Sequence, residues 1–591
     1  MVNSIEHIEN QATTHLKEHW GYDDFRPLQL EVITQILKSK DTIVLFPTGG
    51  GKSITFQIPA LILPNLSLVI TPLIALMDDQ VKNLRDKGIK AEAIHSGKSF
   101  KEVERIIENC RWGGIKMLYI SPERLGNERF QDQLRQIDIS MVAIDEAHCI
   151  SQWGHDFRPA YLRIGELSEI WPSAVKIALT ATATPNVISD IEKYGCLNKP
   201  EVFKKSFKRE NISLHVHHTQ RKYELIKKLL LKMDDVNAIV YIRSRREVQN
   251  LSILLSEIGF KTGYYHAGIS FAERQKVQNQ FMNGELQIIC ATNAFGMGLD
   301  KGNVRQVIHF DVPPSLEEYV QEFGRAGRDG LLSEAHILVN DGDKAYAIRK
   351  NLEKFPSFEF CKKVYSSLYN FYRIPIESGE GEVRPFEIKK FCLKTKLPIP
   401  QVYYAIQILN KNEYIDTFDQ KKRRSTVRIT CSTTQIRENQ LPNLEGDVLS
   451  SLARIYEGIL DYSVEINLKS IAHFCDISVK EVSETLSNLN SQGWISYYKE
   501  EEGERIYFLK NRLPKDLFHI NKRLQKSISD NSKNMLQSML QYLESDDCRP
   551  SIISNYFGET DQFLCRICDN CNPKERFDDE SFIQNQLEEG L

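Results

Sequence analysis

The chain has 591 residues, a formal net charge of −3, 41% hydrophobic residues and 26% charged ones. That is about four times the ~150-residue domain size, so three to five domains are expected, and the composition excludes a peptide, a fibre and a wholly disordered chain. The near-neutral balance does not announce a polyanion partner, although a basic groove offset by acidic surface elsewhere is compatible with it.

The N-terminal run MVNSIEHIENQATTHLKEHW carries acidic residues and lacks the apolar stretch of a secretion signal. Residues 54–77 are uncharged, but Pro59, Pro64, Asn65 and Pro72 divide them. They read as helix, turn, strand, turn, helix rather than a membrane span. A soluble, cytoplasmic chain is expected, nucleoid-associated if bacterial.

From about residue 20 to 345, short β-rich apolar runs alternate with amphipathic stretches. TIVLF (42–46), SLVIT (67–71), KMLYIS (116–121), MVAID (141–145) and KIALT (176–180) read as buried parallel strands. AIVYI (238–242), KTGYYH (261–266), LQIICAT (286–292), VRQVIHFD (304–311) and EAHILV (334–339) form a second set. The fold class is α/β, with two tandem parallel-sheet domains expected at 1–208 and 209–345.

Beyond 350 the texture turns helical, and two segments look alike. Residues 387–415 and 467–495 each run short helix, turn, longer helix, strand, and each is followed by a stretch fit for a β-hairpin. That is the winged-helix plan, expected twice, at 346–430 and 431–512; generic helical subdomains are the alternative. Lys421, Lys422, Arg423 and Arg424 would sit on the first wing, whereas the second, YKEEEGERIY, is mostly acidic. A helical metal module is expected at 513–571, and an acidic, flexible tail at 572–591.

The chemistry begins at FPTGGGKS. Thr48, Gly49, Gly50 and Gly51 let backbone N–H groups approach a phosphate, Lys52 supplies a point charge, and Ser53 a magnesium-ligating hydroxyl at a helix start. Phe46 stands where the stricter pattern has glycine. Asp145 and Glu146 follow the strand MVAI, where a carboxylate reaches magnesium and its neighbour polarises water. Both motifs together point to nucleotide hydrolysis. Gln321, Arg325 and Arg328 supply charges from the second domain, the arginines on one face if their segment is helical. A solvated basic patch is the alternative.

These runs, with FRPLQLEVI, TPLIALMDDQV, SQWGHDFRPAY, LTATAT, YYHAGIS, ATNAFGMGLDK and QEFGRAGRDG, cover residues 15–345 in order. The chain resembles the RecQ-type DNA helicases of superfamily 2, so the paired domains would be RecA-like motor domains. The resemblance implies that Arg26 and Gln29 read adenine, with Tyr22 stacking nearby, and that Arg328 acts as an arginine finger with Arg325 as a second γ-phosphate contact. Gly298 and Asp300 would link nucleotide state to the strand. The family usually has glycine where Leu28 stands. It further implies 3′-to-5′ travel and opening of forked, gapped or recombination-like duplexes, with ATP and Mg²⁺ as requirements.

Ser151, Gln152, Trp153, His155, Phe157, Arg158 and Tyr161 interleave aromatic, basic and polar groups directly after the carboxylates. Aromatic faces stack on bases at ~1–3 kcal/mol each without choosing sequence, so this loop is the expected sensor of single-stranded DNA. Core packing of Trp153 and Phe157 is the alternative. Cys548, Cys565, Cys568 and Cys571 offer four thiolates within 24 residues. Zn²⁺ is the first expectation and an iron–sulfur cluster the second. Their surroundings resemble the RecQ zinc-binding element, which ordinarily precedes the winged helix; here it follows both candidates, so the C-terminus would fold back on the second motor domain. Single-stranded and forked DNA, protein partners at the C-terminal region, no membrane and a monomer complete the expectations.

Overall fold

The computed structural model describes residues 5–572 except 96, 155, 233–236, 297–300, 420–424, 432–442, 457, 461–463, 499–503, 515 and 561–562. His155, Gly298, Asp300, the basic run 421–424, most of the acidic wing and the tail beyond 572 lie outside the described residues. Two compact units are present: one holds residues up to Asn351 together with those from Arg523 onward, the other Leu352–Lys522.

The first unit contains two parallel sheets. β1 (Thr42–Leu45), β2 (Leu66–Ile70), β3 (Ala91–Ile94), β4 (Met117–Ile120), β5 (Ile139–Ile144), β6 (Val175–Thr180) and β7 (Glu201–Lys204) lie in the order β3-β4-β2-β5-β6-β1-β7. β1, β2, β4 and β6 are buried on both faces, which is why each reads as a continuous apolar run. β3 and β7 escape the sequence reading because AEAI is interrupted by Glu92 and built mostly of alanine, with weak strand propensity, and EVFK is a largely exposed edge. Residues 54–77 form the Ile54–Ile62 helix, β2 and the start of the Ile74–Asp86 helix, as expected. Among the described residues no helix is long and apolar enough to cross a membrane.

The second sheet comprises β8 (Ile212–His218), β9 (Ala238–Tyr241), β10 (Thr262–Tyr265), β11 (Ile288–Ala291), β12 (Gln306–His309) and β13 (Ser333–Val339), ordered β10-β11-β9-β12-β13-β8. The C-terminal module packs directly on it. Met539, Tyr542, Leu543, Ile553 and Phe557 share one hydrophobic core with Ile212, Leu214, Tyr319 and Ile337. Main-chain bonds extend that contact, with Asp569 N donating to Leu214 O at 3.2 Å. The expected fold-back of the C-terminus is therefore present.

The second unit holds both winged-helix plans, with strands exchanged. β14 (Val383–Pro385), β15 (Ile415–Asp419) and β19 (Glu504–Phe508) form one sheet, while β16 (Thr426–Ile429), β17 (Val464–Glu465) and β18 (Ile495–Tyr498) form another. The expected hairpins at 416–430 and 496–509 are not made. β15 pairs with β19, and β16 with β18, both antiparallel. The physical reason is the core each strand completes. Ile506 and Phe508 pack with Phe391, Val402 and Ile415, whereas Val427 and Ile429 pack with Ile471, Val482 and Ile495. The second plan is thus inserted between two strands of the first, and its own middle strand precedes its helices. The sequence likeness survives in detail: Lys396 and Asp476 end the first helix of each pair in the left-handed region, at φ +55 in both.

Candidate active site

The loop after β1 and the loop after β5 open at the C-terminal ends of their strands, separated by β6. Gly49 and Gly51 adopt φ of +79 and +78, which glycine reaches without a Cβ penalty. A Cβ on Gly51 would collide with the Gln29 side chain. Gln29 is buried; its Nε2 donates to Gly51 O at 2.9 Å, while Arg26 N donates to its Oε1 at 2.8 Å. Arg26 itself reaches Gly49 O at 2.6 Å. Arg26 and Gln29 therefore hold the phosphate loop from outside, and Tyr22 stands exposed beside them in sequence. Leu28 sits at φ +66, a left-handed conformation that costs a leucine roughly 1–2 kcal/mol. This accounts for the glycine that the family places there.

Lys52 Nζ donates to Phe46 O at 3.1 Å. Burial pulls its pKa below the usual lysine range, against the opposing pull of Glu146 and Asp145. Asp145 moves the other way, to about 7, because it is buried and faces Glu146, with Lys52 restraining the shift. Thr71 Oγ1 approaches its Oδ2 at 3.5 Å. Glu146 has φ +47, and His148 Nδ1 lies 3.3 Å from its carboxylate and 3.0 Å from Thr180 Oγ1. Ser53 closes the loop just before the Ile54–Ile62 helix. Ser53 and Asp145 are the chemistry that would hold Mg²⁺, as oxygen donors beside a phosphate loop.

Arginines of the second sheet's domain enter this field. Arg325 is buried and bonded to Gly296 O, and the stem of Arg328 covers the phosphate loop, so that a Cβ on Gly49 would lie 3.1 Å from Arg328 Cγ. Gln321 is half-buried on the Leu316–Phe323 helix. Sequence reading missed two cations of the polar linker. Arg209 bonds Ala326 O at 3.2 Å and Gly327 O at 3.1 Å, and approaches Thr48 O at 3.5 Å. Lys205 donates to Gly50 O at 3.2 Å and sits 4.1 Å over the Phe46 ring. The only signal was the basic run KKSFKR, which in sequence reads as a solvated linker.

The loop after the carboxylates divides into held and exposed parts. Tyr161 is fully buried, so it cannot stack on a base, which corrects the DNA-contacting half of its expected role. Its hydroxyl ties the loop to Asp145 O. Ser151 Oγ donates to Asp190 at 2.6 Å, and Arg158 bonds Asp156 and Pro72 O. Trp153 is 40% exposed and Phe157 half-buried, so neither is a fully packed core side chain. Gln152 O accepts from Asn531 on the Lys522–Glu544 helix at 3.2 Å.

The four cysteine Sγ atoms all lie within 4.8 Å of one another, and Cys548 and Cys568 are buried. Tetrahedral zinc with Zn–S near ~2.3 Å needs thiolates about this close. A cluster would need room for its own irons and sulfides, so the single-ion expectation fits. Arg549 and Asp569, both buried, pair at 3.0 Å beside it.

Four family models match in chain order: DEAD/DEAH box helicase over residues 26–191, Helicase conserved C-terminal domain over 221–330, RecQ helicase winged-helix domain, Bacteroidota, over 427–499, and RecQ zinc-binding over 514–572. The chain has RecQ-type superfamily 2 helicase architecture. In this RecQ-type chain the zinc-binding module follows the winged helix, and the cysteines are its zinc-binding cluster. Curated relatives include the ATP-dependent DNA helicase RecQ of Pasteurella multocida, 42% identical over 347 residues, 59% of this chain and 55% of that one. That of Bacillus subtilis is 43% identical over 336 residues, 56% of this chain and 57% of that one. The chain thus spans little more than half the length of these relatives. Among solved structures, the DUF1998 helicase MrfA bound to DNA and AMPPNP is similar with a TM-score of 0.49 and 20% identity, covering 59% of this chain and 52% of that one.

Proposed function

We propose that this chain is an ATP- and Mg²⁺-dependent DNA helicase that moves 3′ to 5′ on single-stranded DNA. It opens forked, gapped or recombination-type duplexes in repair, recombination or replication restart. The observation that carries the reading is the approach of Arg328 to Gly49 beside Lys52, Asp145 and Glu146. A site completed by arginines from a second sheet makes hydrolysis depend on how the two domains close.

In this reading residues 1–208 and 209–345 are the two motor domains. Arg26 and Gln29 read adenine beside Tyr22; Thr48, Gly49, Gly50, Gly51 and Lys52 bind phosphates, and Ser53 and Asp145 hold the magnesium that neutralises them. Glu146 orients the attacking water, Gln321 and Arg325 face the γ-phosphate, and Arg328 stabilises charge developing on it. Gly298 and Asp300 transmit the closure. Trp153, Phe157, Arg158 and His155 engage single-stranded DNA, and Ser151, Gln152 and Tyr161 anchor their loop.

The test is strand displacement with ATP and Mg²⁺ on duplexes carrying a 3′ tail, a 5′ tail or none, with Glu146→Gln as control. Displacement confined to the 3′-tailed duplex and lost in the control is the expected result. DNA-stimulated hydrolysis without displacement would replace helicase by translocase.

A further inference from the structure

Beside the four cysteines, one further group of metal-ligand side chains comes together among the described residues. His15, Glu18 and His19 each present a ligand atom within 4.8 Å of the other two. Their i, i+3, i+4 spacing puts them on one face of the Ile5–Trp20 helix. The adjoining face fixes the helix's rotation, because Ala12 and Leu16, three residues before His15 and His19, are buried against Ile33 and Ile58.

The nitrogens are arranged for a ligand. His19 Nδ1 lies 3.1 Å from Lys87 O. A carbonyl only accepts, so Nδ1 carries the proton and Nε2 offers its lone pair. That Nε2 lies 3.9 Å from Glu18 Oε2. A backbone carbonyl orienting the second ring nitrogen is the usual support of a metal-ligating histidine. His15 Nδ1 is buried without a hydrogen-bond partner, 3.9 Å from the same Glu18 oxygen. The two rings stack at 5.7 Å with an interplanar angle of 15°, so both nitrogens share one side of the helix.

We propose that His15, Glu18 and His19 form a second zinc site, a sulfur-free set of two imidazoles and one carboxylate whose coordination water completes. His-x-x-Glu-His is also the spacing of zinc-ligating histidines on a peptidase helix. No further His, Cys, Asp or Glu joins the group among the described residues, so peptide hydrolysis is not inferred. Bound zinc would tie the Ile5–Trp20 helix to the Lys87 carbonyl at the end of the Ile74–Asp86 helix. Through Ile33 and Ile58 it would brace the helices that follow the Arg26–Gln29 segment and the phosphate loop.

The experiment uses untagged full-length protein already holding one zinc per chain at its cysteines. Titration with Zn²⁺ alone, followed by calorimetry and equilibrium dialysis, is expected to add a second equivalent. In the His15→Gln/His19→Gln variant that equivalent is lost while the first is retained. Co²⁺ in the second site should show weak visible bands without sulfur-to-cobalt charge transfer. Saturation at one zinc, or a second zinc that survives the double variant, overturns the proposal. Should the double variant lose its circular dichroism, Glu18→Gln carries the test: weakened second-site affinity supports the site, and unchanged affinity overturns it.

Discussion

The Tyr161 hydroxyl donates to the main-chain carbonyl of Asp145 over 3.0 Å. A side chain at the end of the aromatic loop is thereby bonded to the residue proposed to hold magnesium. Loop movement reaches that carboxylate through one buried contact. Tyr161→Phe keeps the ring and removes the bond, worth about 1 kcal/mol. DNA-stimulated ATP hydrolysis is expected to fall about fivefold, and basal hydrolysis less. Equal losses in both, measured with and without single-stranded DNA, would detach Tyr161 from coupling.

Arg328 covers the phosphate loop at Gly49, and Arg209 braces its segment through Ala326 O and Gly327 O. Arg328→Ala should reduce kcat for ATP by about 10³, with a much smaller change in ATP affinity. Arg328→Lys should not restore it, because an ammonium lacks the planar fork. Arg209→Ala should give a milder loss through misplacement. Steady-state kinetics and nucleotide binding separate the three.

The strand exchange makes an architectural prediction. Asp419 and Glu504 are directly opposite in the β15–β19 pairing, although 84 residues lie between them. Replacing residues 420–503 by an Asn-Gly turn should close that pair as an ordinary hairpin. The remaining first winged helix is expected to keep its helical circular dichroism and cooperative melting. Collapse of both would mean that the insertion supports its host.

Zinc removal should reach beyond the cysteines. The module shares its core with the second sheet through Tyr542, Leu543 and Phe557. Stoichiometric chelation is therefore expected to raise hydrogen exchange in the module and in β8 and β13, while β1, β2 and β5 stay protected. Faster exchange confined to 548–571 would show that the shared core holds without the ion.

His215, His217 and His336 stack between β8 and β13, with His217 Nε2 at 3.1 Å from His336 Nδ1. Burial first, then His336, lower the His215 pKa to about 4, with Glu334 and Asp569 opposing and Lys232 assisting. Below the usual 6.5 the unfolded chain takes up a proton that folded His215 refuses, so stability falls from pH 6.5 to about 4. Glu334, held at about 2 chiefly by its hydrogen bond from His336, adds a second loss as pH falls below 4.5. His215→Gln should flatten the upper part of this decline in urea midpoints measured between pH 7 and 4. Parallel curves for variant and parent would count against His215 as its source.

Much of the active site was legible because its parts are local. A glycine loop after an apolar strand, two carboxylates after another and a run of aromatic and basic residues each need only neighbours in sequence. The helix pairs 388–411 and 468–491 were legible for the same reason, since capping and left-handed turns act over a few residues. Arg209 and Lys205 were not, because nothing in KKSFKR says which carbonyls it will meet. Nor was the left-handed backbone at Leu28, which family likeness hinted at and local propensity opposed.

The sequence by itself determined the type of most elements, that one parallel-sheet domain follows another, and the chemistry each loop can carry, since periodicity and side-chain chemistry are short-range properties; β3, β7 and β8 were left to the fold. Only the tertiary structure decided that β15 pairs with β19 and β16 with β18, that Tyr161 faces inward, and which side chains of the cysteine module, Tyr542, Leu543 and Phe557 among them, complete the core of the second sheet. Those outcomes depend on which apolar faces find one another after collapse, a choice made among distant segments that no local pattern encodes.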